Sequence, residues 1–261
     1  MGHGAPRVVS NAFAITGFAA LLHAQPACAA YVVQHQQQPV SARSTGALWG
    51  IDTVSNVETG NIIAQTTTDL GAPQFVGRYL IYSSELSSTE AKYIHQQGLP
   101  ILLIDDPNRA FTSGATDARQ AIAQGRSLGV AQGVAIFRDV DTSDSISAPY
   151  VAAYAAAFAG SGYVTGFYEN PINGSFAGAY CSLVASDPEA VRGVLLYSSE
   201  PEHTGSNPRR SAHPHFAPNV PGCTNHTAAW QYLERGLFPS RSWPSVDVDE
   251  LPSHFSHVLW S

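Results

Sequence analysis

The chain has 261 residues, 44% of them hydrophobic, and a formal net charge of −7, with Lys92 as its single lysine. That balance excludes the basic footprint of a nucleic-acid or anionic-membrane binder, so polyanions are not expected as ligands. The length suits one α/β barrel or one large sandwich around a single sizeable core.

In chain order, Arg7 precedes an uncharged, largely apolar stretch from Val8 to Ala24, which Pro26 interrupts before the small side chains Ala27, Cys28, Ala29 and Ala30. This is the shape of a signal peptide, expected over residues 1–30 with cleavage near Ala29 or Ala30. The segment from Ala12 to Ala24 is short of the roughly 20 apolar residues a bilayer crossing needs, so a secreted or cell-envelope protein without stable membrane insertion is expected. Gln25-Pro26-Ala27 lacks the aliphatic start of a lipobox, which argues against lipidation of Cys28. Residues 31–45, rich in Gln and Ser, read as a flexible leader, and one domain is expected over 46–261.

From Gly46 onward, short apolar runs alternate with segments of helical period, the signature of a parallel sheet with crossover helices. Strands are expected at Ala47–Asp52, Phe75–Ile81, Pro100–Asp105, Val134–Asp141, Tyr163–Tyr168, Val191–Tyr197, Ala228–Leu233 and Ser245–Asp249. Ser87, Ser88, Thr89 and Glu90 form a capping box that opens a helix closed by Gly98; a second helix, near Ala115 to Leu128, ends at Gly129. A third, from Tyr150 to Ala159, carries Tyr150, Tyr154 and Phe158 on one face, a core-packing stripe. Pro and Gly cluster in a long loop from Ser198 to Thr227. These elements predict an α/β fold, a single-domain (β/α)8 barrel of the TIM type. Cys181 and Cys223 are expected to pair, since an even number of cysteines in an exported chain favours a disulfide.

The acids fall at strand ends: Asp52, then Asp105 and Asp106, Asp139 and Asp141, Glu169, Glu200, and finally Asp247 with Asp249. In a barrel of parallel strands those ends converge on one face, where such barrels carry their chemistry. Carboxylates gathered and partly buried there acquire raised pKa values, which supplies one protonated acid beside an ionised partner and suits glycosidic-bond cleavage. Any one acid has a plainer reading as a helix cap, as for Asp106 before Pro107. Asp139-Val140-Asp141 is more specific, because an i, i+2 pair on a strand points both carboxylates to the same face, about 6.5–7 Å apart at Cα. His213-x-His215 lacks supporting ligands for a metal, and no nucleophile elbow, phosphate loop or dinucleotide fingerprint occurs, so neither metal nor cofactor is expected.

Gly50-Ile51-Asp52, Phe75-Val76-Gly77-Arg78-Tyr79 and Leu86-Ser87-Ser88-Thr89-Glu90-Ala91 resemble the glycoside-hydrolase-like domain of unknown function 1906. The likeness continues through Gly129-Val130, Ile136-Phe137 with Val140-Asp141, Gly162-Tyr163 with Gly166-Phe167-Tyr168, Trp230-Gln231-Tyr232 and Val246-Asp247-Val248-Asp249, spanning about residues 46 to 250. The resemblance implies a barrel related to the family 25 muramidases, which cut the glycan of bacterial cell walls. It puts Asp139 and Asp141 at the positions of an Asp-x-Glu pair whose Glu is the acid, with Asp52 as the first-strand acid. Asp141 is then the expected general acid and Asp139 or Asp52 its nucleophilic or electrostatic partner. Asp105, Tyr168, Glu169, Trp230, Gln231, Tyr232, Asp247 and Asp249 are expected to bind substrate, the aromatic pair by stacking on sugar rings, with barrel packing as the equal alternative for Trp230, since only one alternating set on the strand faces inward. A polysaccharide or peptidoglycan is the expected partner of a monomeric protein. Asp141 is one methylene shorter than Glu, and a catalytic group displaced by about an ångström can lose orders of magnitude in rate. A catalytically weak or inactive carbohydrate-binding barrel is therefore the alternative.

Overall fold

The structure, a computed structural model, describes residues 46–81, 84–106, 111, 113–141, 146–203, 209, 212–236 and 246–261. The expected signal peptide and leader, residues 1–45, lie outside the described residues.

Eight strands close into a barrel in sequence order: β1 (Ala47–Asp52), β2 (Phe75–Tyr79), β3 (Ile101–Asp105), β4 (Ala135–Asp139), β5 (Val164–Glu169), β6 (Leu195–Ser198), β7 (Ala229–Gly236) and β8 (Val246–Pro252). From β1 to β7 each strand is parallel to the next. After the first five strands come helices α1 (Ile62–Asp69), α2 (Ser88–Gln96), α3 (Gly114–Leu128), α4 (Ala148–Phe158) and α5 (Phe176–Ser186). Among the described residues no helix is long and apolar enough to cross a membrane.

The expectation of eight parallel strands needs one correction, because β8 runs antiparallel to both β7 and β1. The cause is length. Gly236 and Val246 are paired across the two strands, and the segment between them is shorter than the dozen or so residues a parallel crossover requires. Two further differences are local. The sixth strand starts at Leu195 rather than Val191, since Pro188–Val191 forms a 3₁₀ turn followed by Gly193 at φ 76°. The fourth stops at Asp139, where the Asp141 amide turns back to donate to Asp139 Oδ1 at 3.1 Å.

Helices α2, α3 and α4 each begin on a serine whose hydroxyl accepts a backbone N–H: Ser87 from Glu90, Ser113 from Thr116 and Ser147 from Tyr150. The capping box at Ser87 forms only its serine half. Glu90 turns instead to Arg78, its Oε1 2.8 Å from Arg78 Nε and also accepting the Val57 amide at 2.8 Å. The guanidinium further donates to the carbonyls of Thr53 and Ser84. Arg78 and Glu90 are both fully buried, so this cluster fixes the loops after β1 and β2. Helices α1 and α5 were not expected; neither has a side-chain cap, and α1 contains the β-branched run Thr66-Thr67-Thr68, which weakens a helical reading.

Because both faces of each parallel strand are covered, the strands read as nearly continuous apolar runs. Phe75, Leu102, Ile104, Phe137 and Tyr197 fill the barrel, while Ile51, Val76, Leu103, Ile136 and Phe167 meet the helices. The stripe on α4 joins the outer layer, with Tyr154 5.2 Å from both Phe158 and Phe167 between ring centroids. No α-helix follows β7 or β8 among the described residues. There the long loop packs on the outer side: His203 and Phe216 lie edge-on to Trp230, and the His213 ring contacts the Glu250 carboxylate. Cys181 of α5 and Cys223 of the loop form the expected disulfide. Closing a chain segment of 42 residues, this bond contributes about 3–4 kcal/mol through the unfolded state. Replacing both cysteines by serine is expected to lower the unfolding free energy by that amount, measured by urea denaturation.

Candidate active site

Strand alternation decides which of the acids meet, since residues in register on neighbouring strands share a side. Asp52 is opposite Gly77 of β2 and Asp247 of β8, Asp249 is opposite Gln231 of β7, and Asp139 is opposite Tyr168, itself opposite Tyr197. All of these face the barrel interior at the carboxyl ends of β1–β7. Asp247 reaches that end from the beginning of β8, because the strand is reversed, and Asp249 follows two residues deeper, level with Gly50. Gly77 makes the space for Asp52: a Cβ on it would lie 2.3 Å from the Asp52 Cβ.

The carboxylates form two tiers. Asp52 and Asp249 are 1% and 0% exposed, whereas Asp139, Asp141 and Asp247 retain contact with solvent. In the lower tier the Tyr197 hydroxyl lies 2.5 Å from Asp249 Oδ1 and 3.1 Å from Asp52 Oδ2, with the Tyr79 hydroxyl 3.4 Å from Asp52 Oδ1. A hydroxyl has one proton and cannot donate to both acids, so with Tyr197 donating to one, the other contact requires a protonated carboxyl as donor. Burial, then the charges of Asp249 and Asp247, push Asp52 well above the usual carboxylate range, and burial does the same to Asp249. At least one of the two is therefore a neutral acid.

In the upper tier, burial raises Asp139 to about 7 against the opposing hydrogen bond from the Asp141 amide, with the charges of Asp106 and Asp141 adding to the rise. Asp141 lies beyond the strand, a correction to its expected place on β4, and its Oδ1 accepts the Ser199 hydroxyl at 2.5 Å. Its pKa is raised too, by burial first; the Ser199 bond opposes this, and Glu234, Glu200 and Glu202 reinforce it. Tyr168 donates to Gln231 Oε1 at 2.8 Å and packs against Tyr197, the rings tilted by 40° with centroids 4.5 Å apart, which walls the site between the tiers.

Asp105, Glu169, Trp230 and Tyr232, expected among the substrate-binding residues, face away from this interior. Asp105 is in register with Arg138 rather than Asp139, so it points to the helix layer. There its Oδ2 accepts the Tyr154 hydroxyl at 3.2 Å, and Arg138 bonds its carbonyl at 2.9 Å. Glu169 is in register with Ser198; it is fully buried, neither carboxyl oxygen has a hydrogen-bond partner, and burial raises its pKa to about 9. Trp230 lies opposite Glu250 and is 1% exposed, while the Tyr232 hydroxyl accepts Trp49 Nε1 at 2.9 Å, so both rings belong to the outer core. Among the described residues no three His, Cys, Asp or Glu side chains are grouped to hold a metal ion. Tyr79, Tyr197 and Ser199 escaped the sequence reading. Inward parity from Gly77 would have found Tyr79, and parity from Gly166 through Tyr168 would have pointed to Tyr197; Ser199 carries no such signal.

A carboxyl whose folded pKa is raised holds its proton more tightly in the folded state. Its stabilising contribution is complete below about pH 4 and is lost as pH rises through the folded value. For Asp105, Asp139 and Glu169 those values are about 6, about 7 and about 9. The melting temperature is therefore expected to fall between pH 5 and pH 9. In Asp139→Asn the fall around pH 7 should be shallower, as scanning calorimetry across that range would register.

Residues 72–233 match the family described as "Rv2525c-like, glycoside hydrolase-like domain". Comparison with curated protein sequences gives no match. Among solved structures, an uncharacterized protein of B. stearothermophilus, known from a 1.07 Å crystal structure, is similar at 26% identity and a TM-score of 0.73, over 82% of this chain and 100% of that one. A glycosyl hydrolase 25 of Streptococcus pneumoniae, described as a virulence factor participating in host cell invasion, is similar in fold at 10% identity and a TM-score of 0.50, over 84% and 94% of the two chains. A bacterial lysozyme from Streptomyces coelicolor aligns at 16% identity and a TM-score of 0.49, over 79% and 93%. The family match runs from just ahead of β2 to Leu233 in β7, more than half of the sequence, and the chain belongs to the Rv2525c-like, glycoside hydrolase-like domain family.

Proposed function

We propose that this protein is an exported glycosidase that cuts cell-wall or related polysaccharide by carboxylate acid–base catalysis, with Asp141 as general acid and Asp139 as its partner. The supporting observation is the upper tier: two solvent-reachable carboxylates joined through the Asp141 amide, one with a pKa of about 7. Below that pH the pair keeps at least one proton, which is what protonation of a leaving glycosidic oxygen requires. Under them lie Asp52 and Asp249. With one neutral, the lower tier holds at most one negative charge, which favours an oxocarbenium-like centre above it without internal repulsion. Asp52 serves as an electrostatic support in this reading, since its burial keeps it from reaching a sugar carbon. Asp247, partly exposed beside Asp52, is the group that orients sugar hydroxyls, while Gln231, buried and accepting from Tyr168, supports the wall beneath.

A second reading is a sugar-binding barrel with little or no catalysis. The identity of residue 141 favours it, because an aspartate tied to Ser199 has a shorter reach than the glutamate of the related muramidases. One experiment separates the two: release of soluble reducing sugar from purified peptidoglycan and a panel of polysaccharides. The glycosidase reading expects release that falls at least about 100-fold in Asp141→Asn, the usual contribution of a positioned general acid. No release from any substrate, with retained pull-down on one of them, would leave the binding barrel.

A further inference from the structure

Ser199 follows directly on β6 and is only 8% exposed, with its amide donating to the Glu169 carbonyl at 3.0 Å. Its hydroxyl has two acceptors within reach, Asp141 Oδ1 at 2.5 Å and the Glu169 carbonyl at 3.4 Å. With one proton to give, it donates to the nearer. That choice distinguishes the two oxygens of Asp141: Oδ1 is occupied as an acceptor, and Oδ2 is the oxygen that carries the proton when the carboxyl is neutral. As the proton leaves Oδ2, charge spreads onto Oδ1 and the Ser199 bond becomes charge-assisted, roughly doubling in strength. A bond that strengthens as the proton departs lowers the barrier to donation rather than merely holding the ground state.

We propose that Ser199 is a positioning residue for Asp141, a hydroxyl that selects Oδ2 as the proton-bearing oxygen and stabilises the carboxylate left behind. This rests on the reading of Asp141 as the general acid. The ionisable groups around Asp141 are Asp139 at the end of β4, Glu169 on the outer side of β5, Glu200 and Glu202 after β6, and Glu234 of β7. All of these are acidic; the charges of Glu234, Glu200 and Glu202 oppose ionisation of Asp141, and the Ser199 hydroxyl works against them.

The test is a ¹³C NMR titration of the Asp141 carboxyl, assigned by its loss in Asp141→Asn, in the wild type, Ser199→Ala and Ser199→Thr. Ser199→Ala should raise the Asp141 pKa by about one pH unit, from the loss of one hydrogen bond to a charged acceptor, and Ser199→Thr should restore it. With a cleaved polysaccharide as substrate, the high-pH limb of kcat should move up with that pKa while maximal kcat falls about tenfold at unchanged KM. An Asp141 titration that is the same in Ser199→Ala and wild type overturns the proposal whether or not the protein is an enzyme. A shifted titration in a protein that cleaves nothing keeps the Ser199–Asp141 link and removes the glycosidase reading alone.

Discussion

The site depends on a confrontation of two buried carboxyls across the seam where the barrel closes. Asp52 ends β1, Asp249 lies at the middle of β8, and the Tyr197 hydroxyl from β6 contacts both. Two ionised acids could not share so dry a place, and one must keep its proton. The phenol thus joins β6 to both strands of the seam by hydrogen bonds, while the retained proton removes the repulsion that would open it. Above that floor lie the packing of Tyr168 against Tyr197 and the hydrogen bond Tyr168 gives Gln231.

Acidic residues fall into two environments that the sequence does not distinguish by type. Three on the outer side are matched to arginines, Glu90 to Arg78 at 2.8 Å, and Asp105 and Asp117 to Arg138 at 3.8 and 3.9 Å, while Glu250 meets His213 and Glu169 has neither oxygen hydrogen-bonded among the described residues. The Arg138 guanidinium also rests on the Phe111 ring, 4.6 Å from its centroid, and bonds the Tyr150 hydroxyl. Those on the inner side have hydroxyls, amides and one another for company. Breaking a buried ion pair leaves an uncompensated charge and destabilises strongly, so the outer set holds the loops in place. The inner set holds protons where the outer one has arginines.

Eight strands, three helices, the disulfide and the gathering of Asp52, Asp139, Asp247 and Asp249 were legible in the sequence, the last for a partly mistaken reason. Asp247 and Asp249 were read as closing a parallel strand; Asp247 stands near the start and Asp249 at the middle of a reversed one, and the short segment after Gly236 carried that information. Asp105 and Glu169 were grouped with the site by their place at strand ends, when parity along the strand, one residue out of step with Ile104 and Tyr168, sends them outward. Trp230 and Tyr232 follow the same rule. What sequence could not supply is contact between distant elements. Ser199 reaches Asp141 across 58 positions, and no local pattern marks a serine after a strand as anything but a turn residue.

A Cβ on Gly77 would fall 2.3 Å from the Cβ of Asp52, with the Asp52 Cα 3.1 Å away. The obstacle is an atom that every residue but glycine carries, so exchanging the carboxylate at 52 for another side chain would not open the space. A descendant of this chain could therefore lose the acid and still be held to glycine at 77, because the constraint comes from the approach of two strands. Regaining the acid would then need a change at one position only, the room for it having been kept throughout.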